Sequence, residues 1–290
     1  MRGPWVRGRV TARYYARALE RLKLVTLNIW NRQGPWAERL DLIRAGLRAL
    51  DPDIVGLQEV LHSDESGDDQ AAEIADGLGY EHRAFGSAWN IGGPLHLGNA
   101  VLSKYPITER DNWALAPDKE THGLLFAAVD APCGRVPVFV THYAWRLHHG
   151  HVRLDQVQAT AARIKQLAPV DGFPPVLMGD LNGEPDSDEM RYLRGLTPLN
   201  GKSFYLADVW EYCGQGPGHT WTRANPYAWR TREHDRRIDY IYVRGPDRKL
   251  RGEPLAARVV FDQPVRGVFA SDHFGVYAEI QAAPRTLDAL

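Results

Sequence analysis

The stretch Pro175-Val176-Leu177-Met178-Gly179-Asp180-Leu181-Asn182 constrains this chain most. Its apolar residues predict a buried strand that runs straight into Gly-Asp-Leu-Asn. Asp180 and Asn182 are two residues apart. If the extended backbone persists through Leu181, both side chains share one face while Leu181 turns back into the core. A carboxylate and an amide at the end of a buried strand are costly to place and chemically useful. The acid can hold a metal or take a proton from water, and the amide can donate to an oxyanion. A strand followed by an Asx-type turn accounts for the same residues, because Asp, Asn and Gly are ordinary turn formers. The other strands of the chain decide between the two.

The sequence predicts many of them. Leu22–Trp30, Ile54–Val60, Asn99–Ser103, Pro106–Thr108, Leu124–Val129, Val136–Tyr143, Ile238–Val243, Ala257–Phe261 and Val276–Ile280 read as strands, with a hairpin turn at Pro132-Cys133-Gly134. Trp36–Leu50, Ala71–Leu78, Val152–Leu167 and Ser187–Leu196 read as helices. The first of these carries Leu40, Ile43, Leu47 and Leu50 on one face. His62–Asp69 reads as an acidic loop and His82–His96 as a glycine-containing surface segment. No repeat or low-complexity linker interrupts the chain. The organisation expected is a basic extension or helix over 1–21, one α/β domain over 22–281 and a short tail over 282–290.

Composition bounds the partners. The 290 residues carry a formal net charge of −1, so no global basic field draws in nucleic acid, although a local cleft can still be basic. The two cysteines, Cys133 and Cys213, allow no zinc-ligand spacing. No apolar run approaches membrane-spanning length, so no stable membrane association is expected. Residues 1–20 are rich in arginine without an apolar centre, which predicts a peripheral helix such as Ala12–Leu22 and not a secretory signal. A cytoplasmic monomer is the expectation.

Strand after strand ends in a residue able to bind a metal or a phosphate: Asn28, Glu59, Thr141-His142, Asp180 with Asn182, Asp239, and Ser271-Asp272-His273 before the last strand. Each alone has an ordinary structural explanation. Together they are hard to bury unless they partner one another. A convergent set of carboxylates, amides and imidazoles without cysteine favours Mg²⁺, Mn²⁺ or Ca²⁺ over zinc.

The ordered set Leu27-Asn28-Ile29-Trp30, Gln58-Glu59, Thr141-His142, Gly179-Asp180-Leu181-Asn182, Arg237-Ile238-Asp239-Tyr240-Ile241 and Ser271-Asp272-His273 resembles the endonuclease/exonuclease/phosphatase superfamily, closest to its small bacterial members. The resemblance runs from about Leu22 to Ile280. It implies a four-layer α/β/β/α sandwich, two mixed β-sheets packed face to face with helices outside. It also implies a divalent-metal-dependent phosphoesterase that cleaves a phosphodiester, nucleic acid among the candidates, by attack of an activated water. On this resemblance Glu59 is the principal Mg²⁺ ligand (Mn²⁺ being the alternative), assisted by Asn28 and Asp272. Asp180 orients or deprotonates water, Asn182 donates to the phosphoryl oxygen, and Asp239 holds His273. His142 matches a second histidine that protonates the leaving group. The deoxyribonuclease branch has a Glu near the position of Gly98-Asn99, so Asn99 is expected to contact substrate instead. Trp30 stands where some relatives carry a further acid, which favours one metal.

Two stretches bear on substrate. His148, His149 and His151 fit no standard metal spacing and read as a solvated loop. Residues 221–237 interleave Trp221, Tyr227 and Trp229 with Arg223, Arg230, Arg232, Arg236 and Arg237. This pattern suits either stacking on bases and gripping phosphates or a solvated loop over packed aromatics. Trp221 and Arg236 are the expected substrate contacts. A phospholipid or small-molecule phosphate hydrolase is the alternative activity, and a non-catalytic binding module is the remaining one.

Overall fold

The computed structural model describes residues 19–115 and 122–285. In chain order its elements are β1 (Arg21–Asn28), α1 (Trp36–Leu50), β2 (Ile54–His62), α2 (Gln70–Ala75), β3 (His82–Gly92), β4 (Leu95–Ser103), β5 (Ile107–Leu115), β6 (His122–Ala131), β7 (Gly134–His142), α3 (Gly150–Leu167), β8 (Val176–Asp180), α4 (Asp188–Leu193), β9 (Ala207–Asp208), α5 (Val209–Cys213), β10 (Asp239–Val243), β11 (Pro254–Val260) and β12 (Gly275–Gln281). A short 3₁₀ turn spans Ala228–Thr231. The strands form two mixed six-stranded sheets, ordered β11-β12-β1-β2-β4-β3 and β5-β6-β7-β8-β10-β9.

Every central strand is apolar on both faces because both are covered. Leu22 and Leu24 of β1, Val138 and Val140 of β7, Val176 and Met178 of β8, and Ile241 and Val243 of β10 meet in one core between the sheets. The alternate residues Val25 and Leu27 pack outward under Ile43 and Leu47 of α1 and Ile74 of α2. On the opposite side Phe139, Leu177, Tyr240 and Tyr242 pack outward under Val157, Ala161 and Ile164 of α3 and Met190 of α4. Three apolar layers separating four structural ones give the α/β/β/α sandwich. At Gly56 the sheets approach so closely that a Cβ would lie 2.6 Å from Met178 Sδ.

Period two also aims the site. Asn28 continues the phase of Leu22 and Leu24; His142 that of Val138 and Val140; Asp180 that of Val176 and Met178; Asp239 that of Ile241 and Val243. These polar ends therefore point between the sheets, where the sandwich opens.

Several expectations need correction. Residues 82–96 are not a loose surface segment but most of the β3–β4 hairpin. β3 lies at a sheet edge and is largely exposed beyond Gly86, so its alternation is weak. The strand expected at Ile107-Thr108 runs on to Leu115 for the same reason. The helix expected over Ala12–Leu22 falls mainly outside the described residues, and Arg21 and Leu22 belong to β1. Among the described residues no helix is long and apolar enough to cross a membrane.

Candidate active site

Three neighbouring strands carry one row of the site. In the β7–β8 register His142 faces Asp180, and in the β8–β10 register Asp180 faces Asp239. Asp180 Oδ2 lies 3.4 Å from His142 Nε2 and 3.6 Å from His273 Nε2. It also accepts from Asn28 Nδ2 at 3.1 Å, across the gap between the sheets. The other amide hydrogen of Asn28 reaches Glu59 Oε1 at 3.1 Å, while Asn31 donates to Glu59 Oε2 at 3.1 Å. One asparagine thus ties the carboxylates of both sheets together.

Glu59 reaches this position through a backbone irregularity. Leu57 pairs with Ala100 and Val60 with Gly98, so Gln58 and Glu59 together oppose Asn99. This is a bulge, and Glu59 sits in it at φ 57°. Without the extra residue Glu59 would follow Val55 and Leu57 to the outer face. Trp30, Asn31 and Asn182 also have positive φ, at 53°, 34° and 52°. Strained non-glycine residues thus cluster where the polar side chains converge.

Asn182 corrects the opening expectation. The extended backbone ends at Asp180, and the Asn182 N–H donates to Asp180 Oδ1 at 3.0 Å. The Asx-type turn is therefore real, and it coexists with the convergence. Leu181 is buried as expected, and Asn182 Nδ2 donates to the Tyr143 carbonyl at 3.1 Å.

His273 is the electrostatic centre. Its Nδ1 lies 2.9 Å from Asp239 Oδ2. Burial alone would lower its pKa, but the carboxylates of Asp239, Asp180 and Asp272 hold it well above an ordinary imidazole. Trp221 packs edge-on against its ring at 4.8 Å. Asp272 is pushed up to about 7, first by burial, with His273 pulling it down and the charge of Glu59 adding to the rise. Ser271 Oγ, which donates to the Asn28 carbonyl at 2.7 Å, anchors this segment to β1.

Glu59, His142, Asp180, Asn182, Trp221, Arg236, Asp272 and His273 line one cavity of about 250 Å³. Asn99 lies beside it, in an adjoining cleft that shares Glu59 and His142. Asp239 stands behind His273, fully buried. Asp180, Asp239 and His273 also offer ligand atoms within 4.8 Å of one another, a grouping able to hold a metal.

The arginine-rich stretch divides. Arg236 lines the cavity and pairs with Glu233, while its Nε has no partner among the described residues. Arg237 instead turns away into a buried pair with Asp208 at 2.7 Å. Arg223 pairs with Asp235, and Arg232 lies over Trp229. Tyr227 stacks on Trp30 at 4.9 Å.

Sequence reasoning missed His122, whose ring lies 5.4 Å from His142. Its phase is that of Leu124 and Phe126, outer-core residues, so alternation gives no signal for it. It also missed Arg39 and Arg153, two buried cations beneath the site loops. A basic residue on the apolar face of a predicted helix was the available clue.

The Endonuclease/Exonuclease/phosphatase family profile matches residues 25–273. Protein YbhP of Escherichia coli (strain K12) is 31% identical over 170 residues, covering 55% of this chain and 66% of YbhP, just under two thirds of its length. Among solved structures, an endonuclease/exonuclease/phosphatase from Beutenbergia cavernae superposes with a TM-score of 0.71 at 24% identity, covering 91% of this chain and 72% of that one. Danio rerio TDP2 complexed with single strand DNA product gives 0.68 at 21% identity, covering 89% and 98%. The human Nocturnin catalytic domain with bound sulfate anion gives 0.67 at 19%, covering 91% and 94%. These structures share the fold, and the profile spans every strand-end residue from Asn28 to His273. With its two-sheet sandwich and convergent acid, amide and imidazole groups, the chain belongs to the endonuclease/exonuclease/phosphatase family, whose members are generally hydrolytic enzymes.

Proposed function

We propose that the protein is a divalent-cation-dependent phosphodiesterase with endonuclease-like chemistry. The observation that carries this reading is that His142, Asp180 and His273, the last backed by Asp239, share one cavity with Glu59 and Asp272. The donor set fits a hard cation. Glu59 and Asp272 sense each other strongly enough to help lift Asp272 to about 7, and a cation between them relieves that repulsion. Glu59 and Asp272 would hold Mg²⁺ or Mn²⁺, with Asn28 assisting through the Oδ1 that also accepts from the Trp30 N–H. The bound cation would withdraw charge from a nonbridging phosphoryl oxygen. Asp180, Asp239 and His273 are a weaker cation site. Both nitrogens of His273 already face carboxylates, so a proton balances their charge.

Within this frame Asp180 orients and deprotonates the attacking water, and Asn182 donates its second amide hydrogen to the phosphoryl oxygen. His273, held protonated by Asp239, faces the developing negative charge. His142 supplies a proton to the leaving oxygen. Trp221 fixes the edge of His273, and Arg236 adds positive charge at the rim.

The purified protein, assayed with Mg²⁺ or Mn²⁺ and with chelator, should cleave bis-p-nitrophenyl phosphate and plasmid DNA in preference to p-nitrophenyl phosphate and sphingomyelin. Asp180→Ala and His273→Ala should each lower turnover by roughly 10²–10⁴-fold. Absence of cation-dependent turnover on every substrate, with no cation binding by calorimetry, would reject the enzyme reading. Sphingomyelin cleavage with intact plasmid would reject the nuclease-like form.

A further inference from the structure

Beside the catalytic cavity lies a larger cleft of about 640 Å³, and Glu59, His142 and Trp145 line both. We propose that this cleft is a subsite for a nucleoside arm of the phosphodiester, with Trp89 and Trp145 as stacking surfaces and Asn99 Oδ1 as the acceptor for a base or sugar donor. The inference rests on the phosphodiesterase reading and names the side chains that would hold one arm of its substrate.

Two indoles are exposed at the rim of the cleft, Trp89 and Trp145, each 56% accessible. Neither stands on a loose segment. Ser87 pairs with Gly98 and Trp89 with Leu97, so Ala88 is an extra residue that re-aims β3 at this point. Ala88 and Trp89 both line the cleft as a result. The segment carrying Trp145 is held from beneath by Arg153, a buried residue of α3. Its guanidinium donates to the carbonyls of Ala144 at 3.0 Å and Arg146 at 2.9 Å, and pairs with Glu189 at 2.5 Å. Gln156 accepts from the Ala144 N–H at 2.9 Å. A buried clamp that leaves its tryptophan in water prepares a flat apolar surface for something absent from the chain itself.

The polar groups choose among apolar occupants. Asn99 is buried, and its Nδ2 donates to the Gly123 carbonyl at 2.9 Å, which fixes the amide orientation. Asn99 Oδ1 is then an acceptor with no partner among the described residues. An acyl chain would leave it unpaired, whereas a nucleoside brings N–H or O–H donors. The Arg146 guanidinium lies over the Trp145 ring, 5.2 Å from its centroid, and steadies the platform.

Binding separates this proposal from the chemistry. With chelator present to prevent turnover, tryptophan fluorescence is titrated with thymidylyl-thymidine, with the same phosphodiester lacking its bases, and with a short-chain phosphatidylglycerol below its micelle concentration. Thymidylyl-thymidine should quench fluorescence and bind about tenfold or more tighter than the base-free compound. Measured by calorimetry, Trp89→Ala and Trp145→Ala should each remove most of that advantage with unchanged melting temperatures, since both side chains are exposed; Asn99→Leu should weaken thymidylyl-thymidine selectively. Equal binding of the base-free compound, absence of thymidylyl-thymidine binding, tighter binding of the lipid, or indifference to both tryptophan variants overturns the subsite. If base-dependent binding holds while no cation-dependent hydrolysis is found, the catalytic reading fails and the subsite stands. Hydrolysis of bis-p-nitrophenyl phosphate without base-dependent binding is the reverse.

Discussion

Arg39 of α1 is fully buried and, among the described residues, has no carboxylate within ion-pair distance, and replacing it by methionine tests how the site loops are held. Its guanidinium donates to four carbonyls: Ala270 at 3.1 Å, Asn31 at 3.3 Å, Gln33 at 2.6 Å, and Ile29. Trp30 and Trp36 flank it, at 5.0 and 5.4 Å from their ring centroids. These carbonyls belong to the β1–α1 loop, which presents Asn31 to Glu59, and to the residue before Ser271-Asp272. Each hydrogen bond from a cation is worth about 1.5–3 kcal/mol. Burial opposes them by lowering the pKa from its ordinary value to about 10, which at about 1.4 kcal/mol per tenfold in proton affinity offsets about 3 kcal/mol. Arg39→Met leaves the carbonyls unsatisfied in a dry site, so the expected loss is about 3–5 kcal/mol. With a urea dependence of about 3 kcal/mol per M, the unfolding midpoint falls by about 1–1.7 M. Arg39→Lys keeps the charge but not the planar fork, and should recover little. Ile43→Ala, a nearby core truncation costing about 2–5 kcal/mol, serves as the control. Mn²⁺ affinity measured by calorimetry should drop in Arg39→Met and hold in Ile43→Ala. A stability loss below about 1 kcal/mol, full recovery by lysine, or equal cation affinity in the two variants would refute the reasoning.

Two further predictions concern the frame. Gly179 has φ 152°, and a Cβ there would lie 1.9 Å from the Thr141 carbonyl oxygen, whereas at Gly216, with φ 71°, it would meet nothing within 4 Å. Gly216→Ala should therefore cost about 1–2 kcal/mol for backbone conformation alone, and Gly179→Ala distinctly more by urea unfolding; equal losses would show that β7 and β8 can separate freely. Burial would raise the pKa of Asp247, but hydrogen bonds from the Arg251 side chain and from the Arg251 and Lys249 N–H groups hold it below the usual carboxylate range. A depressed folded pKa stabilises above the unfolded value of about 3.9 and is lost as pH falls through the folded one. The melting difference between wild type and Asp247→Asn should thus be present at neutral pH and shrink below about pH 4; a gap unchanged at low pH would rule out ionisation as its source.

How much was legible in the sequence follows from what each feature obeys. Asn28, His142, Asp180 and Asp239 lie on the same period-two phase as the core residues before them, so a reading of strands already aims them between the sheets. Glu59 breaks that period. Only the bulge opposite Asn99 returns it to the site, and a bulge leaves no local mark where neither residue is glycine. Trp89 depends on the second bulge, at Ala88, inside a segment too exposed and irregular to be recognised as strand. Arg39 and Arg153 left only the clue of a basic residue on the apolar face of a helix, for another reason. Each donates to carbonyls of a neighbouring loop, Arg39 also to the distant Ala270 carbonyl and Arg153 also to the Glu189 carboxylate, and composition does not record a loop's carbonyls. The strands thus set which atoms meet, while two irregularities and two buried arginines set how firmly they are held. Positive φ at Trp30, Asn31, Glu59 and Asn182 follows from the same division. A regular sandwich would send these side chains elsewhere, and the surrounding packing over-determines the strained arrangement that brings them to the cleft.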